Sequence, residues 1–213
     1  MRINTITAFL LLFSGLLPFG SAAQQRFKAG IIAGVTASQI DGDASAGYNK
    51  VGLQAGLRGV TVLKEKQEVS VEILYTQRGC RNEAKTPPFF KTTLNYIEVP
   101  VQWHYNDWLV DQADDADNYY RVQIGAGLAF ARLLGYKDDS DGSIAGITPA
   151  LPDLNRNSFS FLISATLFAN KHLGFNFRYN RALNKLYKPG KPGTNYAYSL
   201  NEHFLSFQAL VMF

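Results

Sequence analysis

Charged residues stand singly among small polar residues in several segments of this chain. The residues in this setting are Arg58, Glu72, Glu98, Arg121 and Arg178. An Arg guanidinium can give two parallel, charge-assisted hydrogen bonds to a carboxylate. If these side chains share a confined interior, each charge must be paired, because an unpaired buried charge is strongly destabilising. The sequence therefore predicts an internal charge network, which is either a static plug or a gated polar network.

The remaining reactive side chains do not predict a catalytic site. His203 lies three residues before Ser206, so the two point to opposite faces of a strand. His104 and His172 lie near expected turns, and we expect both at a rim or on the surface. The single cysteine, Cys80, excludes an intramolecular disulfide and a Cys-rich zinc site. We predict no cofactor and no enzymatic activity.

Two acidic runs invite a calcium-binding interpretation. One run contains Asp107, Asp111, Asp114, Asp115 and Asp117, and the other occupies 138–142. The first lacks the Gly and the terminal Glu of a calcium loop, and the second is no better match. We interpret both runs as solvated loops, and we predict no metal site.

Eight segments of alternating apolar and polar residues would position the charged side chains. These segments are 27–36, 51–58, 69–76, 96–105, 120–130, 159–168, 173–180 and 204–213. Period-two alternation is typical of β-strands, and tilted strands of about 9–11 residues cross a bilayer. One face of each segment is aliphatic or aromatic, and the other carries Gly, Ser, Thr, Asn and Gln. We expect the single charges on the second face, inside a barrel.

The connections between these segments differ in length. Lys64–Lys66 and Asn170–Lys171 are tight turns, whereas 39–47, 81–91, 135–157 and 187–198 are long. The acidic stretch 106–118 is an exception, because it is a long link on the short-turn side. Long loops on one rim and short turns on the other are typical of an outer-membrane barrel rather than a soluble sandwich. We expect both chain termini in the periplasm and the long loops outside the cell.

Aromatic residues lie near the ends of several predicted strands. They are Trp103, Tyr105 and Trp108 on the short-turn side, and Tyr75, Tyr179 and Tyr136 toward the other side. Rings with a polar edge collect at membrane interfaces, so this placement predicts two aromatic girdles. Ordinary core aromatics are the alternative interpretation.

The last predicted strand ends on an aromatic residue. Leu205, Phe207, Val211 and Phe213 share one face of it. A terminal Phe on an alternating strand is similar to the signal that the outer-membrane assembly machinery reads. We therefore expect that machinery and outer-membrane lipids as partners.

The first 23 residues have the layout of a secretory signal peptide. A charge at Arg2 precedes the apolar run 8–17, and small residues at 21–23 predict cleavage after Ala23. The apolar run is short for a membrane anchor, which needs about 20 residues. The residue directly after the predicted cleavage point is Gln24 and not Cys, so we expect no lipoprotein anchor. Residues 24–213 are then a single barrel domain.

Five short motifs stand out along the chain: FKAGIIAG at 27–34, QIDGD at 39–43, GLQAG at 52–56, YTQRG at 75–79 and LNYIEVP at 94–100. They resemble the PorT-like outer-membrane β-barrel family of Bacteroidetes. The last motif is the most specific, and the resemblance extends over the mature chain. It implies an eight-stranded outer-membrane barrel but no single activity, because some relatives serve protein secretion and most are uncharacterised.

An eight-stranded barrel encloses an interior just wide enough for side chains. We therefore expect a scaffold, adhesion or secretion-associated factor with an unidentified cell-surface or secretion partner, and not a pore. One alternative is a secreted lipocalin-like carrier, although the Gly-x-Trp of lipocalins is missing and the inward residues are polar. Another is a lipid-modifying enzyme, which needs a Ser/His/acid set on the lipid face. A net charge of +4 is too small to predict nucleic-acid binding.

Overall fold

Eight antiparallel strands make up nearly all of the regular structure in the described part of the chain. The computed structural model describes residues 26–43, 45–82, 87–111, 118–141, 146–190 and 196–213. The strands are β1 (Phe27–Asp41), β2 (Lys50–Lys64), β3 (Gln67–Arg81), β4 (Lys91–Val110), β5 (Tyr119–Asp138), β6 (Asn157–Phe168), β7 (Leu173–Ala182) and β8 (Asn201–Met212). Among these residues, no helix is long and apolar enough to cross a membrane. The predicted signal peptide, 1–23, lies outside the described residues.

Each strand pairs with the next one along the chain, and β8 pairs with β1 to close the barrel. This confirms the predicted all-β, eight-stranded, up-and-down topology. The turns at 65–66 and 169–172 define one end, which we name the short-turn rim. The connections β1–β2, β3–β4, β5–β6 and β7–β8 define the opposite end, the long-loop rim.

The acidic stretch 106–118 is partly strand, which corrects the prediction that all of it is a solvated loop. Strand β4 continues to Val110, and Asn106 pairs with Gln123 while Val110 pairs with Tyr119. The hairpin of β4 and β5 therefore extends beyond its neighbours at the short-turn rim. Residues 112–117, with three of the five aspartates, lie outside the described residues.

The two faces of the barrel follow the period-two pattern. On β7, Phe175 and Phe177 are 56% and 44% exposed on the outside, whereas Asn176 and Arg178 are buried inside. Successive side chains of a β-strand point to opposite faces, so the alternating sequence puts polar side chains in the lumen and apolar side chains on the outer wall. Apolar wall and polar lumen are the arrangement of a membrane barrel.

Toward the long-loop rim this arrangement reverses. Gln77 and Asn95 are polar and face outward, while the neighbouring inward side chains of Cys80 and Leu94 are apolar and buried. A short 3₁₀ helix, Thr148–Asp153, folds from the β5–β6 connection onto these inward residues. The result is a buried apolar cluster, which we name the apolar cap: Ile40, Cys80, Phe90, Leu94, Tyr96, Ala131, Leu133, Ile147, Ala150, Leu151, Leu154, Leu186, Tyr187 and Leu200.

Candidate functional site

A charged cluster fills the lumen on the side of the short-turn rim. Glu72 Oε1 accepts a hydrogen bond from Arg178 Nη2 at 2.9 Å, and the same nitrogen lies 2.8 Å from Oε2 in an ion pair. The Arg58 guanidinium lies across from Glu72 on the neighbouring strand, with Nη1 at 3.9 Å from Oε1. All three side chains are at most 1% exposed. We name this group, with its hydrogen-bonded neighbours Gln102 and His104, the lower cluster.

A chain of hydrogen bonds joins the lower cluster to the short-turn rim. Arg58 donates to Gln123 Oε1 at 2.9 Å, and Gln123 Nε2 donates to Glu68 at 3.0 Å and to Asn106 at 2.8 Å. Glu68 in turn binds Lys28 Nζ at 2.8 Å, and the Lys28 side chain is 48% exposed. Water at this rim therefore meets a fixed set of paired polar groups and not an open channel.

A second charged cluster lies nearer the long-loop rim. Arg78 Nη2 is 2.7 Å from Glu98 Oε2, and Arg78 Nη1 is 3.9 Å from Glu202 Oε2. The guanidinium stacks between two rings, 4.7 Å from the centroid of Tyr96 and 4.2 Å from that of Phe204. We name these five residues the upper cluster. Thr76 donates a further hydrogen bond to Glu98, and Tyr96 donates one to Glu202.

A small apolar group lies between the two clusters on β3 and continues onto β1 and β8, and we name it the apolar layer. Ile32, Leu74 and Leu210 are fully buried and pack together inside the barrel. Leu74 lies between Glu72 and Thr76 on the inward face of β3, and it pairs with Glu98 of β4. Between Leu74 and Val71 the β3–β4 pairing is interrupted opposite Pro100, which has no backbone N–H to donate. The ion pairs of each cluster therefore join members of that cluster: Glu72 with Arg58 and Arg178 in the lower one, and Arg78 with Glu98 and Glu202 in the upper one.

The separation corrects the prediction that one network holds all the inward charges. Glu98 pairs with Arg78, and not with Arg58, Arg121 or Arg178. Glu72 belongs to the lower cluster, so it does not share a cluster with Glu98. Parity along each strand predicts the face of a residue, but it does not give its height along the lumen relative to other strands.

Arg121 is not a member of either cluster. It is half-buried at the short-turn rim, across from Trp108, and its guanidinium lies 5.2 Å from the centroid of that indole ring. Trp108 has a left-handed backbone with φ of 59° and is 60% exposed. Arg121 is on the inward-facing side of β5, but the β4–β5 hairpin extends past the end of the barrel here, so its side chain lies outside the lumen.

Two residues of the upper cluster, Arg78 and Glu202, were not predicted as lumen charges. Both lie beyond the ends that the alternation gave to strands three and eight, at 76 and 204. Continuing the alternation by two residues would have predicted both, because Arg78 is two residues past inward Thr76 and Glu202 is two residues before inward Phe204.

His104 is inside the barrel and fully buried, so its predicted rim position is wrong. Its Nε2 is 2.8 Å from Ser70 Oγ and 3.1 Å from Arg58 Nη2. Gly125 faces the ring, and a Cβ there would collide with it. To act as a base for Ser70, His104 would have to take a proton on Nε2, and the Arg58 cation beside that nitrogen opposes this. The pair is also buried where substrate cannot reach it, so Ser70 and His104 pack the lumen and do not form a nucleophile with its base.

Four of the predicted girdle residues, Trp103, Tyr105, Tyr75 and Tyr179, lie on the outer face. Trp108 does not, because it has the inward parity of His104 and Asn106 and stacks on Arg121 beyond the end of the lumen. Trp103, Tyr105 and Trp108 are 45%, 39% and 60% exposed on β4, and Trp103 and Tyr105 have ring centroids 6.5 Å apart. Tyr75 lies at the upper edge of the apolar wall, where its hydroxyl donates to Asn95. Tyr179 is half-exposed on β7. Their contact with lipid headgroups stays a prediction.

The residues of the predicted assembly signal share the outer face of the last strand. Leu205 and Val211 lie on β8, and Phe207 packs 5.2 Å from Phe177 between ring centroids. Phe213 is 70% exposed, and its backbone N–H donates to Ala29. Recognition of this strand by the assembly machinery stays a prediction.

Outside the wall, the β1–β2 connection carries one buried carboxylate. Asp43 is 2% exposed, and burial raises its pKa to about 6, against the opposing hydrogen bond from the backbone N–H of Ser45. Tyr196, from the β7–β8 connection, donates a hydrogen bond to the carbonyl of Gly42 next to it. Two long connections are thus held together at this rim. Among the described residues, no group of His, Cys, Asp and Glu could hold a metal ion.

An apolar wall around a polar interior with two ion clusters defines a plugged, eight-stranded outer-membrane barrel. Residues 22–188 match the family described as outer membrane protein beta-barrel domain, so the chain belongs to that family. The finer resemblance to PorT-like proteins is not tested by this match and stays a prediction. No match was found among curated protein sequences.

Several solved barrels are similar to this chain. The attachment invasion locus protein Ail of Yersinia pestis is 12% identical with a TM-score of 0.41, covering 88% of this chain and 99% of Ail. Neisserial surface protein A is 12% identical with a TM-score of 0.42, covering 88% and 97%. The N-terminal barrel domain of Pseudomonas aeruginosa OprF is 9% identical with a TM-score of 0.39, covering 87% and 97%. Similarities at this level do not indicate what the present chain binds.

Proposed function

We propose that this protein is a closed outer-membrane scaffold that presents folded loops at the cell surface to an adhesion or secretion partner. The apolar cap carries this proposal. A pore needs a continuous aqueous path, but in the described residues the lumen passes through the lower cluster, the apolar layer, the upper cluster and the cap. Each of these four levels consists of buried side chains.

The cap also gives the long-loop rim a fixed shape. Ile147 and Leu151 of the β5–β6 connection and Leu186 of the β7–β8 connection are at most 5% exposed. The backbone N–H of Asn155 donates to the carbonyl of Leu186 at 2.7 Å, which joins the two connections. Ordered connections suit recognition of a partner, because little conformational entropy is lost on binding.

The first experiment tests closure. Purified protein reconstituted in planar lipid bilayers should give no steady conductance, while a porin reconstituted in parallel gives its usual steps. Stable single-channel steps from the wild-type protein would contradict a closed lumen, and the scaffold proposal would fall in favour of a channel.

The second experiment tests the platform. A photo-crosslinking amino acid is placed at Tyr198, which is 65% exposed at the long-loop rim, or at Glu65, exposed in a turn at the short-turn rim. In living cells we expect a discrete protein adduct from position 198 that is absent at position 65. Adducts from position 65 alone would show that the partner binds at the short-turn rim, on the other side of the membrane, and would contradict the proposal.

A further inference from the structure

The outer surface above the apolar wall differs between two sectors of the barrel. On β3 and β4 it is polar, as at Gln77 and Asn95. On β5 and the segment after β7, large apolar side chains stay exposed at this height: Leu134 is 59% and Leu183 is 63% exposed. Tyr136 is 48% exposed as well, but it pairs with inward-facing Leu94 and so stands on the loop side of β5. A patch of exposed apolar side chains beyond the wall is unfavourable in water and indicates a binding surface.

Cations are interleaved with these apolar side chains. Arg132 and Arg181 are exposed on β5 and β7, each two residues past an outward aromatic residue, Phe130 or Tyr179. The rings of Phe130 and Phe159 pack with centroids 5.1 Å apart just below this level. Toward the long-loop rim, an aromatic residue is thus followed by a cation. In the same direction a lipid leaflet changes from acyl chains to charged headgroups, so the two match.

Two adjoining grooves lie at this height. The first has a volume of about 400 Å³ and is lined by Arg156, Lys185 and Lys188 together with one carboxylate, Asp153. The second has a volume of about 130 Å³ and is lined mainly by apolar residues, with nearly as much polar as apolar surface. Leu134, Tyr136 and Pro152 line the second groove, and Leu154 and Arg156 are common to both. A ligand with an apolar and an anionic part could therefore occupy both grooves at once.

The segment that separates the grooves is fixed by backbone hydrogen bonds. Leu133 N–H donates to the Arg156 carbonyl at 2.7 Å, and Asn155 N–H donates to the Leu186 carbonyl at 2.7 Å. Arg156 and Lys188 are exposed, and within the described residues neither forms an ion pair. Three cations against one carboxylate favour a ligand that carries more than one negative charge.

We propose that these two grooves bind a phosphate-bearing lipid of the adjacent leaflet. The phosphate contacts Arg156, Lys185 and Lys188, and an acyl chain runs along Leu134 and over the aromatic residues below. The leaflet is the outer one if the long-loop rim faces outside, as the proposed function requires. The site itself depends only on its own residues, so its failure and that of the proposed function are separable.

The test is a native mass-spectrometry titration of the folded protein in an uncharged detergent. The probes are diphosphoryl lipid A, monophosphoryl lipid A and a galactosyl diacylglycerol without phosphate. We expect retention in that order. The double variant Arg156→Ala/Lys188→Ala should weaken retention of diphosphoryl lipid A roughly 25-fold, about fivefold for each cation removed. Lys137→Ala is the matched control, since Lys137 is an equally exposed cation at the same rim that is paired with Asp139 at 3.1 Å.

Two further arms separate the sources of phosphate. Leu134→Asn should weaken lipid retention several-fold while leaving any binding of inorganic phosphate unchanged. Displacement of lipid A by millimolar inorganic phosphate would show a site for the free anion and overturn the lipid proposal. Equal retention of all three lipids, or an equal loss in Lys137→Ala, would overturn it as well. Unchanged gel mobility of unheated samples establishes that each variant is folded.

Discussion

Arg78 is the group on which the upper cluster depends, and its replacement gives the sharpest test of the lumen. One guanidinium neutralises Glu98 at 2.7 Å and approaches Glu202 at 3.9 Å, and all three side chains are at most 3% exposed. Arg78→Met keeps the length of the side chain and its place between Tyr96 and Phe204, but it leaves two buried carboxylates without a cation.

The magnitude follows from these contacts. Removing one partner of a buried ion pair costs about 3–5 kcal/mol. The two stacked rings contribute about 1–2 kcal/mol each when the cation is desolvated. We therefore expect Arg78→Met to lower the free energy of unfolding by about 5–9 kcal/mol. Glu98→Gln should cost less, because its amide oxygen can still accept from Thr76 and Arg78.

The assay is urea unfolding in detergent micelles, followed by loss of the folded band on unheated gels. The control is Arg81→Met, the same substitution on the same strand, because Arg81 is half-exposed and lies 5.8 Å from the ring centroid of Phe89. In the triple variant Arg78→Met/Glu98→Gln/Glu202→Gln no charge is left in the cluster, so we expect at least half of the lost stability to return. If Arg78→Met unfolds like the parent, or the triple variant is no better than Arg78→Met, the ion-pair account of the lumen is refuted.

Three further predictions concern the wall, the orientation and the loops. Phe177→Arg places a charge on the lipid face and should cost about 2–4 kcal/mol, measured as a lower urea midpoint. In a chain lacking Cys80, a cysteine at position 198 should react with a membrane-impermeant maleimide on intact cells, and one at position 65 should not. Asp43 has a pKa raised from 3.8 to about 6 by burial, so the folded state binds its proton more tightly and stability falls as pH rises from about 4 to 6. Asp43→Asn should therefore raise stability by about 1–3 kcal/mol at pH 7.5 and remove this pH dependence.

Each of these predictions has a matched comparison. Phe177→Leu keeps the wall apolar and should change the midpoint little, so equal loss with Leu and Arg would point to ring packing and not to lipid. Reaction at position 65 with position 198 protected would reverse the orientation. Asp41→Asn, on a half-exposed carboxylate near His203, removes only the smallest contribution to the raised pKa of Asp43 and should change the pH profile of stability much less than Asp43→Asn does. A profile equally flattened by both substitutions would not support burial of Asp43 as the cause.

The strand count and the two faces could be predicted because side chains on a strand repeat every second residue. That rule places Arg58, Glu72, Glu98 and Arg178 inside, as the structure has them. It does not set the height at which different strands meet, because the stagger between strands comes from closure of the sheet. The partners of Glu98 were therefore wrong even though its face was right.

The apolar cap could not be predicted for a different reason. Its residues from the connections, such as Ile147 and Leu186, follow no periodic pattern and lie within three residues of Gly or Pro, which are typical of loops. Only the closed barrel shows that their apolar side chains meet the inward faces of β3, β4 and β5. Gly and Pro mark where the chain turns, but they do not indicate which way the side chains between them point.

The cap also changes which parts of this protein can vary during evolution. Surface connections usually accept substitutions and insertions more readily than the strands they join. Here Ile147, Leu151 and Leu186 are core residues within connections, and truncating a core Leu or Ile to Ala costs about 2–5 kcal/mol. Substitutions during evolution should therefore concentrate at the exposed positions around them, such as Tyr198, while the backbone path of the long-loop rim stays the same.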